Sequence, residues 1–182
     1  GGAIYNNATL FFSNSTLSGN TATDGGAIYN NGTLSVDNST LYNNTASSNG
    51  GGIINIDTLL ITNSTLSGNS ASNGGGILNS FGATLSLTSS TLSDNSGSVN
   101  GGGIFNNSGA INIANTIIAN SSSGGDFAGT GTVSLIGSAT AANNLVSQGS
   151  FSWATTKTSA EINLGTLANN GGPTQTLALL NG

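Results

Sequence analysis

Neither cysteine nor histidine occurs in this chain, and its single cation is Lys157. Without cysteine there is no disulfide and no thiolate metal site, and the sequence names no cofactor. Charged residues make up 4%, against about 25% in ordinary soluble domains. One cation cannot neutralise a row of phosphates, which excludes nucleic acid as a partner. No apolar run approaches the ~20 residues that a membrane span needs, so direct membrane insertion is not expected. The Asn, Thr, Ser and Gly that fill the composition without cysteine fit an extracellular or cell-surface protein. Low charge with many small polar residues also describes disordered chains. Here, however, the apolar residues recur at fixed offsets, a register that disorder does not produce.

The register comes from one hexapeptide written five times, at 1–6, 25–30, 50–55, 74–79 and 101–106, with starts 24, 25, 24 and 27 residues apart. A period of that size marks a solenoid. Taking the second repeat as template, 25–30 reads as a strand, Asn31-Gly32 as a turn, 33–38 and 39–43 as two further strands, and 44–49 as a polar return loop. Alternation turns Ile28, Leu34, Val36 and Leu41 inward, and Tyr29, Thr33, Ser35, Asp37, Thr40 and Tyr42 outward. The same four inward positions read Ile4, Leu10, Phe12 and Leu17 in the first coil, Ile53, Leu59, Ile61 and Leu66 in the third, and Ile77, Leu85, Leu87 and Leu92 in the fourth. In the fifth they read Ile104, Ile111, Ile113 and Ile117. Period-two apolar columns with this much glycine predict an all-β parallel β-helix, or β-solenoid, over helical repeats. The expected coil is 24–25 residues with three short strands. Regular coils are assigned to 1–123, and degenerate final coils with a partial C-terminal cap of the same solenoid to 124–182. The extra residues of the fourth repeat fall at 80–83, between strands, where an insertion only lengthens a loop. A chain that opens directly on a repeat also suggests a targeting sequence upstream.

Asparagine repeats as regularly. Asn6, Asn30, Asn55, Asn79 and Asn106 form one column; Asn14, Asn38 and Asn63 begin a second; Asn20, Asn44, Asn69, Asn95 and Asn120 form a third. Stacked at ~4.8 Å, identical amides can donate and accept along the column. Several stand in Asn-x-Ser/Thr, among them Asn14-Ser15-Thr16 and Asn38-Ser39-Thr40. An inward asparagine cannot carry a sugar, so these read as ladders rather than glycan acceptors.

The GGAIYN, TLxV and NSTLSGNTA segments of these repeats resemble the right-handed parallel β-helix arrays of large bacterial surface proteins. They are similar to the GGAI-type repeats of polymorphic outer-membrane adhesins. The tail Leu164-Gly165-Thr166-Leu167-Ala168-Asn169-Asn170-Gly171-Gly172-Pro173-Thr174-Gln175-Thr176 resembles the end of choice-of-anchor Q β-helix proteins, with Leu177 where that pattern has His. The resemblance implies a right-handed fold and a passenger-like extracellular rod, and it transfers no catalytic residue.

Many parallel β-helices cleave polysaccharides, so the carboxylates matter. They are Asp24, Asp37, Asp57, Asp94, Asp126 and Glu161. No two share a strand column in adjacent coils, as a glycosidase pair would require, and they read as solvated surface groups. No catalytic residue and no metal site is assigned. Two outward columns remain. Tyr5, Tyr29, Ile54, Leu78 and Phe105, bordered by Ala3, Ala27, Gly52, Gly76 and Gly103, form a candidate interaction strip. Thr16, Thr40, Thr65, Thr91 and Thr116 form a threonine array of the kind that binds ice in some solenoids, although β propensity alone explains threonine there. The expected function is a non-enzymatic extracellular structural or adhesive module. Expected partners are a second copy, end to end or lateral, or a surface glycan or protein. A carbohydrate-binding or carbohydrate-active protein is the alternative.

Overall fold

The computed structural model describes residues 1–137, 140–149 and 151–180. Asn181 and Gly182 of the tail, and Ser150 of the irregular segment before it, lie outside the described residues. The chain is a parallel β-solenoid. Its stacked strands gather into a ten-stranded, a seven-stranded and a four-stranded sheet, with a separate two-stranded hairpin. Each of the first four coils contributes strands to three faces. In the second coil, Ile28–Asn30 and Thr33–Asp37 lie in the first sheet on either side of Asn31-Gly32, Thr40–Tyr42 lies in the second, and Thr45–Asn49 in the third. In the fifth coil the two segments of the first face fuse into one strand, Ile104–Ala114. The segment expected as a polar return loop is thus a strand. Its inward column is Ala22, Ala46, Ala71 and Gly97, side chains too small to register as an apolar period.

The four apolar columns stack as expected through the first four coils. Ile4 pairs Ile28, which pairs Ile53, Ile77 and Ile104 in turn. Ile28, Leu34, Val36, Leu41, Leu59, Ile61, Leu66, Leu85, Leu87 and Leu92 are wholly buried. Each such side chain contributes about 1.5–3 kcal/mol by leaving water. In the fifth coil the fourth column is one residue later than the sequence suggests. Ile118, not Ile117, pairs Leu92 and is buried, while Ile117 pairs Thr91 on the outside.

Sharp corners separate the faces, and each carries one residue with positive φ. Between the first and second faces stand Asn14, Asn38, Asn63, Ser89 and Asn115, with φ of 46 to 51°. Between the second and third stand Gly19, Asn43, Gly68, Asp94 and Asn120. Between the third and the next coil's first face stand Gly25, Gly50, Gly74 and Gly101. Asparagine, aspartate and glycine tolerate this left-handed conformation best. The Asn38 column is therefore a row of bends and not a ladder, and Asn14 and Asn63 are exposed rather than inward. The ladder lies one residue on. Ser15, Ser39, Ser64 and Ser90 each donate their hydroxyl to the carbonyl two residues back at 2.7 to 2.8 Å. The hydroxyls of Ser39, Ser64 and Ser90 in turn accept the backbone N–H of the preceding coil's serine at 3.1 to 3.2 Å. Thr116 continues this serine column, which is why it does not belong to the outward threonines.

Gly124 and Gly125 accept the backbone N–H groups of Gly101 and Gly102, and Phe127–Leu135 closes the first face as a sixth coil. Beyond it, Leu145–Val146 and Thr155–Thr156 extend the second face. The apolar interior ends here in an aromatic cluster. Phe151 stacks on Trp153 at 5.1 Å between centroids, and both meet Phe127 edge-on. Trp153, Ala154 and Ile162 are buried. The hairpin Leu164–Ala168 with Thr176–Leu179 then runs back along the solenoid. At its tip Thr174 donates to the Asn38 carbonyl, and the Thr40 hydroxyl donates to the Gln175 carbonyl at 2.5 Å.

Candidate functional site

Two asparagine ladders form as the sequence implies. Asn6 donates its side-chain N–H to Asn30 Oδ1, Asn30 to Asn55 and Asn55 to Asn79, each at 2.8 Å, and Asn79 to Asn106 at 3.0 Å. Asn20, Asn44, Asn69 and Asn95 form the second at 2.9 to 3.0 Å. It stops short of Asn120, which sits at the bend position of Asp94 with a buried, unpartnered Oδ1. Ser121 holds the ladder position instead, because the fifth coil reaches its second face one residue later than identity matching implies. A ladder not foreseen runs the other way on the third face, where Asn100 donates to Asn73, Asn73 to Asn49, and Asn49 to Asp24 Oδ1. Only recurrence of Asn before each Gly-Gly could have revealed it. These columns are buried or half-buried and hold coil to coil.

The outer columns are less uniform. Tyr5, Tyr29, Ile54, Leu78 and Phe105 do stack in register, and the Tyr5 and Tyr29 rings are parallel at 5.0 Å. Tyr5 is 63% exposed, but Ile54 and Leu78 are only 6% and 5% exposed. The bordering positions do not widen the strip. Ala27 belongs to the hydrophobic core, and a side chain on Gly52 would point at Leu66 and Asn69. The accessible parts are the aromatic pair of the first two coils and, beyond the buried Ile54 and Leu78, the half-buried Phe105. On the second face Thr40 is wholly buried, Thr65 is 4% exposed, and Thr16 is open. With Ile117 in the fifth position and the hairpin tip bonded at Thr40, no continuous threonine plane faces water.

The carboxylates are dispersed. Asp24, Asp37, Asp57 and Asp94 stand on different faces or corners. Asp126 is not a surface group. It is fully buried, and its oxygens accept from the backbone N–H groups of Ser121, Ser147 and Gln148 and from the Ser147 hydroxyl. Those bonds tie the fifth coil's end to the chain just after Leu145–Val146, the sixth strand of the second face. No cluster of three or more metal-ligating side chains exists among the described residues. Glu161 forms a capping box with Thr158 and an ion pair with Lys157 at 3.1 Å. The Thr158 backbone N–H bond, then the Lys157 contact and the Thr158 hydroxyl, hold its carboxyl at about 2, below the ordinary 4.5. A depressed acid is fully ionised above the ordinary value and loses its contribution as pH falls through its folded value. The Thr158 amide resonance should therefore shift with a midpoint near about 2. A midpoint at the ordinary 4.5 in an NMR titration would show that the box does not hold in solution.

With this geometry in place, comparison with known proteins gives one match. Residues 9–31, which run from the second strand of the first coil through the first strand of the second coil, match the family described as Chlamydia polymorphic membrane protein repeat. No curated protein and no solved structure matches the chain. Among the described residues, no helix is long and apolar enough to cross a membrane.

Proposed function

We propose that this chain is a non-enzymatic, surface-displayed solenoid module whose role is adhesive. The repeat match over 9–31 carries the reading, since that repeat is named for membrane proteins. The fold agrees with it. A column-laced solenoid holds its outer faces rigid, and rigid faces suit contact more than turnover. Dispersal of the carboxylates supports the absence of hydrolysis, because acid–base cleavage of a glycosidic bond needs two of them at a set separation. End-to-end assembly is the weaker form of the proposal, since stacking needs two open ends and Phe127, Phe151 and Trp153 close over one. Beads coated with the purified chain should be retained on glycan-bearing cell layers and should release no reducing sugar. Retention no better than that of beads coated with heat-unfolded chain would remove the adhesive reading, and release of reducing ends would replace it with an enzymatic one.

A further inference from the structure

Outside the ladders, one place on the first face gathers an open aromatic ring, a carboxylate with no ion-pair partner and unbonded hydroxyls. Phe11 is 79% exposed. Across the coils it is followed by Ser35 and then Leu60, and the column beside it reads Ser13, Asp37 and Thr62. Phe11, Phe12, Ser13, Ser35, Asp37 and Thr62 line a groove of ≈ 370 Å³. Outward side chains repeat about every 6.7 Å along a strand and about every 4.8 Å between coils. The grid is thus of the order of one or two sugar rings.

The groups in the groove are not committed elsewhere. Asp37 Oδ2 takes one bond, from the Asn38 side chain at 2.8 Å. The only ion pair among the described residues joins Lys157 and Glu161, so no cation neutralises Asp37. Among the described residues the side-chain hydroxyls of Ser13, Ser35 and Thr62 make no hydrogen bond within the chain. The small Ser35 beside Phe11 leaves the ring face unobstructed. The other highly exposed phenylalanine, Phe81, stands at a loop tip with no such grid around it.

We propose that this groove binds a neutral or amino-sugar glycan, a ligand class that rests on the adhesive reading above. A pyranose offers an apolar C–H face, which stacks on an aromatic ring, and vicinal hydroxyls, which donate to a carboxylate in charge-assisted bonds. The hydroxyls of Ser13, Ser35 and Thr62 supply donors and acceptors for the remaining sugar oxygens. Acidic glycans are disfavoured twice, by Asp37 in the groove and by the net charge of −5.

The whole chain is titrated by NMR with cello-, malto- and N-acetylchito-oligosaccharides, and with heparin as the acidic probe. At least one neutral series should shift the Phe11 ring protons and saturate, while heparin should not. Phe11→Ala should weaken that binding at least tenfold and Asp37→Asn several-fold, with Trp153 emission unchanged as evidence of fold. Phe81→Ala should bind like the parent. Preference for heparin, full binding by Phe11→Ala, or no response to any neutral series would overturn the proposal. If the coated beads still adhere while no oligosaccharide binds, the groove assignment fails and the adhesive reading stands. Failure of both removes the two together.

Discussion

Gly75→Ala should lower the stability of this protein by about 4 kcal/mol or more, at the upper end of what one added methyl does in a packed interior. The second glycine of each Gly-Gly pair is where consecutive coils approach closely, backbone on backbone. A Cβ on Gly75 would sit 2.4 Å from the Ser96 carbonyl oxygen, 2.5 Å from the Ser96 nitrogen and 2.6 Å from the Gly102 oxygen. All three are backbone atoms, and none can rotate away. The local chain is also held from both sides, as Gly75 donates to Gly101 at 3.0 Å and accepts from Gly52 at 3.0 Å. Space alone is at issue, because Gly75 is not among the glycines with positive φ. Gly82→Ala is the matched control. Gly82 has φ 76° and open space around its Cβ, so only the left-handed strain of about 1–2 kcal/mol should appear. Urea melts of the two variants decide it. A Gly75 variant within 1 kcal/mol of the parent, in about the range of an ordinary surface change, would mean the coils can separate locally.

The second large effect should come from Asn55→Asp. Asn55 is wholly buried. Its amide donates to Asn79 Oδ1 at 2.8 Å, to the Thr84 carbonyl at 3.1 Å and to the Asp57 carbonyl at 3.2 Å, while its oxygen accepts from Asn30. An aspartate keeps the shape and loses the donors, so a charge would face three oxygens. Each buried group left without its partner costs roughly 1–3 kcal/mol, and the uncompensated charge adds to that. The destabilisation should also depend on pH. Burial raises the folded pKa of the new acid above its unfolded value, so the penalty is smallest below about pH 4 and grows as pH rises. Asn55→Ala should be milder and pH-independent. Equal melts for the Asp variant at pH 3 and pH 7 would mean that the side chain has turned to solvent.

What could be read from the sequence, and what could not, divides along a physical line. Columns of large apolar residues announce themselves, and so does an asparagine that recurs beside them, so the solenoid, its period and two ladders were legible. The third face was not, since Ala46, Ala71 and Gly97 carry too little apolar surface to stand out among serines. Corners were misread as ladders because asparagine serves both purposes: Asn38 turns the chain and Asn30 stacks. The fifth coil misled for a related reason. Thr116 and Asn120 carry the expected side chains one residue early, and only the pairing of Ile118 with Leu92 fixes the true register. The hairpin was beyond reach, because the contact between Gln175 and Thr40 joins residues 135 apart, with no pattern linking them. For the candidate groove the sequence placed Ser35 and Asp37 on the outer surface but gave Phe11 no role. Its importance arises from what stands beside it two coils deep.

The asparagine columns also have electrical direction. In those starting at Asn6 and Asn20 each amide-to-amide bond is donated toward the later coils, whereas in the column from Asn100 it is donated toward the first. Aligned amides sum to a dipole, as peptide units do in an α-helix, with its positive end where the N–H groups emerge. For the reversed column that end lies at Asn49, and the residue waiting there is Asp24, the one member of the series that is an anion. The carboxylate stands to this column as an acidic residue stands to the first turn of a helix: it meets the positive pole with a negative charge. Asp24→Asn would restore the repeat and discharge that pole at the same time.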